Sequence, residues 1–275
     1  MKVDKVIIAL DNNETYTHFW NLFAPIWVDV FKIKPVLIFN GTTDEFNQLN
    51  FNVTNCEHII VNKIESLPNT RPDWSVTWSL FWGATQFKED VCMLIGVDQL
   101  PLSLFFFDKI KDYSNDDFIV GFSDAYTNYN KETLGYFNTK SNVMYPSSHL
   151  VGKGIVFKEI FEIEDLWEDE VKKVYSKKEL FYLNCIFYPN TLWGLDECYS
   201  SDKIFNFANK EKIQHLNIFW DYWHKNRIDL GGNINDNFSI DNLKNGQYSE
   251  LTTKNYFGDK IKIDTIIDVI KKSII

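Results

Sequence analysis

The chain has 275 residues, of which 45% are hydrophobic and 16% aromatic, so it is long and apolar enough to build one large folded domain. Its formal net charge of −10 argues against nucleic acid and anionic membranes as partners, because both would repel an acidic protein. No apolar run approaches the length of a membrane span, and the short, charged beginning MKVDKVIIAL is unlike a secretory signal, so we expect a cytoplasmic protein that is not secreted.

The first half of the chain alternates β-strands and α-helices. The predicted elements are, in order, a strand at Lys5–Leu10, a helix at Glu14–Phe31 that Pro25 kinks or divides, strands at Lys34–Phe39 and His58–Val61, a helix at Trp74–Phe87, a buried strand from Val91, and a helix around Leu102–Lys111. This βαβ order predicts an α/β fold with a mostly parallel central sheet and helices on both faces.

The second half is predicted to contain fewer strands and a C-terminal wrap. Its elements are strands at Phe118–Phe122 and Asn142–Leu150, a turn at Gly152–Gly154 that leads into a helix through Ile155–Phe161, an exposed charged connector at Glu164–Glu179, a helix at Glu179–Tyr188, extended segments from about Lys225, and a final helix at Ile261–Ser273. Because no repeat or low-complexity linker interrupts the chain, we expect residues 1–275 to form a single domain.

Cysteine and aromatic usage bear on redox state and association. The four cysteines show no CxxC spacing and lie in mostly apolar segments, which is typical of reduced thiols and not of a zinc site or a disulfide framework. The 23 Phe and nine Trp exceed the needs of a core of this size. Some of them are therefore expected to line a groove or the interface of a homodimer, although each one taken singly is as well explained by the core.

The apolar run Val91–Val97 ends in one carboxylate, Asp98, shortly before Pro101. A run without alternation is typical of a strand buried on both faces in a parallel sheet. Ligands of open α/β sheets bind just outside the carboxyl ends of such strands. A single acid there is often a turn cap, but the buried strand before it favours Asp98 as a group that holds a cation or a hydroxyl-rich ligand.

Polar side chains also follow the first predicted strand. Asp11, Asn12 and Asn13 stand where a side chain would reach a ligand at the edge of the sheet. The alternative is an ordinary Asx turn, because Asp and Asn are common turn residues that bond to their own backbone.

A third candidate segment lies in the middle of the chain. Tyr145–His149 offers hydroxyls and an imidazole, and Gly152, Lys153 and Gly154 follow as a flexible turn next to a helix start. These groups could contact sugar hydroxyls or a phosphate, although GxxxxGK[ST] is absent and the turn is no P-loop. A lone histidine is more often a structural core residue than a ligand, which is the alternative for His149.

Two adjacent acids, Asp196 and Glu197, follow Trp193 and Gly194. An aromatic ring beside carboxylates suits carbohydrate, because the ring stacks on sugar C–H groups and the carboxylates accept bonds from hydroxyls. The alternative is a helix N-terminus, where the dipole favours acids, and the two roles are compatible. Neither the GxSxG elbow of a hydrolase nor the GxGxxG of a dinucleotide enzyme is present.

Taken together, these segments resemble the GT-A-fold glycosyltransferases, in particular the small nucleotide-sugar-dependent type found in large DNA viruses and some bacteria. The family's Asp-x-Asp signature corresponds to Gly96-Val97-Asp98, which retains the last acid. The resemblance implies a Rossmann-like nucleotide-binding half at residues 1–112 and a donor-sugar and acceptor half at residues 113–275. It implies the host cytoplasm as the location if the protein is viral.

The resemblance also implies roles for individual residues. Asp98 would be the direct ligand of a divalent cation, Mn²⁺ or Mg²⁺, that bridges the diphosphate of the donor. Gly96 cannot make the contact of the missing first acid. Residues 247–251, where the family places a histidine, contain none, so either Glu250 substitutes for it or the metal is weakly held or dispensable. The donor-binding candidates are thus Asp11, Asn12, Asn13, Gly96, Asp98, His149, Gly152 and Lys153, and the catalytic candidates are Asp196 and Glu197.

The implied reaction is transfer of a sugar from a nucleoside diphosphate sugar, a UDP-sugar above others, to a hydroxyl of a glycan or glycoconjugate acceptor. If the reaction inverts the anomeric carbon, Asp196 or Glu197 is the base that deprotonates the acceptor. If it retains the configuration, the same pair would stabilise an oxocarbenium-like centre. The alternative function is a catalytically degenerate GT-A-like module that binds a glycan or a protein. A sugar-1-phosphate nucleotidyltransferase is disfavoured because no Gly-rich basic loop follows the first strand.

Overall fold

A computed structural model describes residues 1–64, 74–126, 144–176, 195–218, 227–230, 239–245, 248, 250–253 and 256–273. The strands are β1 (Lys5–Leu10), β2 (Lys34–Asn40), β3 (Glu57–Val61), β4 (Val91–Leu94), β5 (Gln99–Pro101), β6 (Phe118–Gly121), β7 (Leu150–Lys153), β8 (Ile213–Leu216), β9 (Arg227–Leu230) and β10 (Glu250–Thr253). The helices are α1 (Glu14–Asp29), α2 (Thr43–Gln48), α3 (Trp74–Thr85), α4 (Phe105–Ile110), α5 (Gly154–Phe161), α6 (Trp167–Ser176), α7 (Leu195–Asn206), α8 (Ile240–Lys244) and α9 (Tyr256–Ser273), with a 3₁₀ turn at Lys210–Lys212.

The central sheet has seven strands in the order β3-β2-β1-β4-β7-β6-β8. Strands β3, β2, β1 and β4 are parallel neighbours, and β6 is parallel to β8. Strand β7 is antiparallel to both of its neighbours, β4 and β6. The predicted α/β architecture with a mostly parallel sheet is therefore confirmed, with one reversed strand in its middle.

Helices cover both faces of this sheet, which explains why its strands lack alternation. In β1, Val6 and Ile8 belong to a core that also contains buried residues of α1 and α9. The intervening residues, Ile7 and Ala9, belong to a second core that contains residues of α3, α5 and α6. Because the inner strands β1, β2, β4 and β6 bury nearly all of their side chains on both faces, an uninterrupted apolar run is what these strands require.

Most predicted boundaries in the first half agree with the structure to within about two residues. Helix α1 continues through Pro25 as one element and ends at Asp29, so of the two outcomes predicted at Pro25, a kink or a division, the division is wrong. Asn13 caps it, because its side chain accepts from the Thr15 amide. At the other end of the chain, the predicted apolar face of the last helix is confirmed, since Ile263, Ile266, Ile267 and Ile270 are all buried.

The prediction of an exposed connector from Glu164 onward is wrong, because α6 packs on α3 there. Trp167 is buried, and the Glu170 carboxylate accepts from the Trp78 indole N–H at 2.9 Å and pairs with Lys173 at 2.6 Å. The many charges of this segment conceal an apolar stripe at helical spacing, in which Trp167, Val171 and Val174 face the core. The predicted helix at residues 179–188 lies outside the described residues.

A second, three-stranded sheet has the order β5-β10-β9. Strand β5 begins directly after Asp98, in a stretch where no strand was predicted, and Leu100 pairs with Leu251 of β10. Strand β10 also pairs in parallel with β9. The C-terminal part of the chain therefore returns to the segment that follows β4, in agreement with the predicted extended wrap.

Cys56 and Cys92 form no disulfide, as predicted for them, and burial raises the pKa of both thiols, that of Cys56 to about 11. Cys185 and the side chain of Cys198 lie outside the described part of the chain. Within the described residues, no helix combines the length and the apolar composition needed to span a bilayer.

Gly154 is expected to be a packing requirement and not part of a flexible loop. An added Cβ would lie 2.4 Å from the carbonyl oxygens of both Ala84 and Phe87. Replacing Gly154 with alanine should therefore lower the free energy of unfolding by about 1–3 kcal/mol, measured by urea denaturation. Glu159→Ala, at an exposed position of the same helix, is the control, and a loss for Gly154→Ala no larger than that of the control would contradict this packing.

Candidate functional site

The carboxyl ends of β1, β4 and β6 meet at one edge of the central sheet, which we call the carboxyl edge. The Ile95 amide donates to the Ile7 carbonyl, which places the residues that follow β1 and β4 side by side. Strand β7 runs the other way and begins at this edge, where the His149 amide donates to the Leu94 carbonyl and the Gly121 amide donates to the His149 carbonyl. The polar segments that follow β1 and β4 and precede β7 therefore share one edge.

Asp98 belongs to a tight turn that joins β4 to β5. The Gly96 amide donates to the Gln99 side-chain oxygen at 2.9 Å, and the Gln99 amide donates to the Gly96 carbonyl at 3.1 Å. A Cβ at Gly96 would lie only 2.7 Å from an Asp98 carboxylate oxygen. A side chain at position 96 would therefore have to displace the ends of the Asp98 and Gln99 side chains, and the half-buried Asp98 is the acid that this turn carries at the carboxyl edge.

The loop after β1 is held by its own polar groups. Asp11 accepts from the Asn13 amide at 3.1 Å and pairs with Lys63, which follows β3, at 3.3 Å. Asn12 donates to the Glu45 carboxylate at 3.0 Å. The loop therefore forms the Asx turn that was the alternative to a ligand-binding role, and the Asn13 side chain caps α1. Lys63 was not identified from the sequence, because only the tertiary fold brings the segment after β3 within reach of the loop after β1, across the intervening strand β2.

Glu197 lies at the start of α7 and reaches the carboxyl edge from outside the sheet. The Tyr126 hydroxyl, which comes from the loop after β6, lies 3.1 Å from each oxygen of the Glu197 carboxylate and donates to them. The amide of Ser147, three residues before β7 begins at Leu150, also donates to this carboxylate. Burial, and next the negative charge of Asp196, raises the pKa of Glu197 to about 8.

Helix α7 is anchored to the segment that precedes β7. The Ser201 hydroxyl accepts from the Tyr145 amide at 2.7 Å, and both residues are buried. Asp196 and Glu197 lie in the first turn of α7, where the helix dipole favours acidic residues, as the alternative for these two acids predicted. This position in the helix also brings Glu197 to the carboxyl edge, so the two roles are compatible. Trp193 and Gly194, which precede these acids, lie outside the described residues.

The predicted contact of His149 with a ligand is not supported, because its side chain is completely buried. Its Nε2 atom lies 2.9 Å from a carboxylate oxygen of Glu250 in β10, and the rings of Phe106 and Phe122 pack around the imidazole. The other Glu250 oxygen accepts from the Thr252 hydroxyl at 3.2 Å. His149 and Glu250 thus join the two sheets beneath the edge, which agrees with the structural alternative for His149.

Gly152 and Lys153 are also separated from the other candidates. Both belong to β7, where Lys153 pairs with Val91 at the start of β4, and the Lys153 ammonium lies 2.7 Å from the Asp116 carboxylate. Because β7 is antiparallel to β4, its last residues lie at the opposite edge of the sheet from Asp98. The prediction that they contact a donor at the carboxyl edge is corrected on this ground.

A divalent cation at Asp98 is compatible with the chemistry of the described residues only if the substrate supplies further ligands. No three His, Cys, Asp or Glu side chains converge on one point within the described residues. Glu250, the candidate substitute for the C-terminal histidine, directs one oxygen to His149. Mg²⁺ is commonly held by one or two carboxylates together with substrate phosphates, and one oxygen ligand from Asp98 fits this pattern.

Comparisons with known proteins bear on the fold. No protein-family model matches the chain, and no curated protein matches its sequence. Among solved structures, the galactosyltransferase LgtC in complex with donor and acceptor sugar analogs is similar at a TM-score of 0.52 and 9% identity, over 98% of this chain and 96% of that one. An active-site mutant of LgtC gives 0.52 and 10% identity, over 98% and 95%. The chain therefore has the mixed α/β architecture of the GT-A-type glycosyltransferases.

Proposed function

We propose that this protein transfers a sugar from a nucleoside diphosphate sugar, a UDP-sugar above others, to a hydroxyl of a glycan or glycoconjugate acceptor. The observation that carries the proposal is that Asp11, Asp98 and Glu197 all lie on segments at the carboxyl edge of a glycosyltransferase fold. Ligands of open α/β sheets bind at this edge. The three acids come from separate elements that share this edge of the sheet, and this common placement supports a ligand that lies along the edge.

The nucleotide is assigned to the side of β1 and β4. Asp11 and Asn12 offer carboxylate and amide oxygens to the hydroxyls of a ribose, and Lys63 beside them offers a positive charge. Asp98 would hold a divalent cation, Mn²⁺ or Mg²⁺, together with the donor diphosphate. When bound, such a cation neutralises the charge that develops on the leaving diphosphate.

The sugar is assigned to the side of β6 and β7, next to Asp196 and Glu197. If the reaction inverts the anomeric carbon, the carboxylate of Glu197 accepts the proton of the acceptor hydroxyl, and its raised pKa makes it an effective base. If the reaction retains the configuration, the Asp196–Glu197 pair stabilises the positive charge of an oxocarbenium-like centre. In both cases the negative charge of Asp196 helps to keep the pKa of Glu197 raised.

The donor proposal is tested by thermal denaturation with UDP-, GDP- and dTDP-sugars, each with and without Mn²⁺. We expect the melting temperature to rise with one nucleotide class, because a ligand that binds the folded protein stabilises it by about 2.7 kcal/mol at a hundredfold excess over its Kd. The corresponding free sugars serve as controls for nonspecific effects. No rise with any of the three donors would overturn the proposed donor class.

A second candidate is a module that binds a glycan or a protein without catalysis, and the glycine at position 96 favours it, because the first acid of the Asp-x-Asp pattern is missing. Release of free nucleoside diphosphate separates the two candidates. A catalytic protein should release it from the bound donor, and faster when an acceptor is added. Donor binding without any release, with or without acceptors, would favour the binding module.

A further inference from the structure

Tyr126 reaches Glu197 from the loop that follows β6, and its ring and its hydroxyl make different kinds of contact. Its ring packs against the larger apolar core. Its hydroxyl lies at the same distance, 3.1 Å, from both carboxylate oxygens of Glu197. We propose that Tyr126 is a positioning residue for Glu197, a role that rests on the proposed function: the hydroxyl holds both oxygens so that the carboxyl group keeps one orientation at the carboxyl edge.

The remaining contacts of Glu197 explain why a second donor is needed. The Ser147 amide approaches the carboxylate from the segment that precedes β7, and the hydrogen bond from the Tyr145 amide to Ser201 fixes that segment to α7. Tyr126 belongs to a different element and adds its donor from the β6 side. With donors from two elements, rotation of the Glu197 side chain would break at least one hydrogen bond, so the orientation of the carboxyl group is determined.

The hydrogen bond from the Tyr126 hydroxyl to Glu197 should be stronger when Glu197 is ionised. A hydrogen bond to a carboxylate is about twice as strong as one to a neutral carboxyl group. The groups that act on Glu197 are the buried surroundings, Asp196, Tyr126 and the Ser147 amide, and of these only the two donors favour the charged form. Tyr126 therefore opposes the effects of burial and of Asp196, and its removal should raise the pKa of Glu197 further.

The test compares Tyr126→Phe with the parent protein without any ligand, by thermal denaturation at pH 5 and pH 9. We expect the loss in melting temperature to be about twice as large at pH 9, where Glu197 is ionised, as at pH 5. Tyr113→Phe, in the loop between α4 and β6, is the matched control and should show the same small change at both pH values. An equal loss for Tyr126→Phe at both pH values would overturn the proposal.

A second arm combines Tyr126→Phe with Glu197→Gln. Because glutamine carries no charge, the effect of removing the hydroxyl should then be equal at pH 5 and pH 9, as in a double-mutant cycle. In turnover assays, Tyr126→Phe should lower kcat about tenfold and leave the KM of the donor within about twofold. A pH-dependent loss that persists beside Glu197→Gln would overturn the role of Tyr126, whereas absence of turnover in the parent protein would overturn the proposed function instead.

Discussion

Replacing Glu197 with glutamine is expected to stabilise the protein at alkaline pH and at the same time to lower its turnover. Burial and the charge of Asp196 raise the pKa of Glu197 to about 8 in the folded protein, whereas a glutamate in an unfolded chain has a pKa of about 4.3. Between these values the folded state holds a proton that the unfolded chain has lost. The free energy of unfolding therefore falls as the pH rises through this window.

Glutamine cannot ionise, so the variant avoids this loss. A shift of this size corresponds to several kcal/mol, but the half-buried carboxylate keeps some contact with water, and we expect an effect of about 2 kcal/mol at pH 8.5. This effect corresponds to a melting temperature roughly 4–8 °C above that of the parent, and the difference should vanish near pH 4.5. The measurement is thermal unfolding of both proteins across this pH range.

The same variant should lower kcat by roughly 10²–10⁴-fold, because glutamine can neither accept a proton nor carry the charge of a carboxylate. Turnover is measured as release of nucleoside diphosphate in the presence of an acceptor. Glu89→Gln, at an exposed position of the opposite edge of the sheet, is the control and should leave both stability and turnover unchanged. A stability difference that is the same at every pH would show that Glu197 does not titrate as the structure implies.

Replacing Asp98 with asparagine should remove the part of donor binding that depends on a divalent cation. Asparagine keeps the size of the side chain but withdraws the negative charge, and Asp98 is the acid that the turn after β4 presents at the carboxyl edge. Loss of a group that stabilises developing charge typically lowers kcat by roughly 10²–10³-fold. The additional rise in melting temperature that Mn²⁺ gives in the presence of the donor should also disappear.

The control for Asp98 is Asp108→Asn, at an exposed position on α4 where the carboxylate contacts Lys111. This variant should keep the full Mn²⁺-dependent rise and the full turnover. If Asp98→Asn responds to Mn²⁺ and donor as the parent does, Asp98 is not the cation ligand. Loss of donor binding even with the chelator EDTA present would instead indicate that Asp98 contacts the donor directly.

Three acids of the candidate site could be predicted from the sequence, two after uninterrupted apolar strands and one at the start of a helix. Asp11 and Asp98 were identified because a strand buried on both faces ends where the polar residues begin, and parallel strands end at a common edge. Glu197 was identified as one of two acids at a helix start. These signals are local in the chain, so the sequence contains them without knowledge of the fold.

The residues that sequence analysis misplaced depend on β7. Its direction cannot be deduced from its own residues, because a parallel and an antiparallel central strand are both continuously apolar. In the structure it runs against β4, which carries Gly152 and Lys153 to the far edge and places His149 beneath the near one. The helical stripe of α6 was concealed for a related reason, since its burial depends on contact with α3.

The amino-acid sequence by itself determined the α/β class of this protein, the strands β1 and β4, and the acids that follow them, because hydrophobic periodicity and strand ends are local properties. Only the tertiary structure decided which polar side chains meet. It paired His149 with Glu250, Asp11 with Lys63, and Glu197 with Tyr126. The partners in each pair are separated by more than fifty residues, since strand order and strand direction arise from packing of the whole chain.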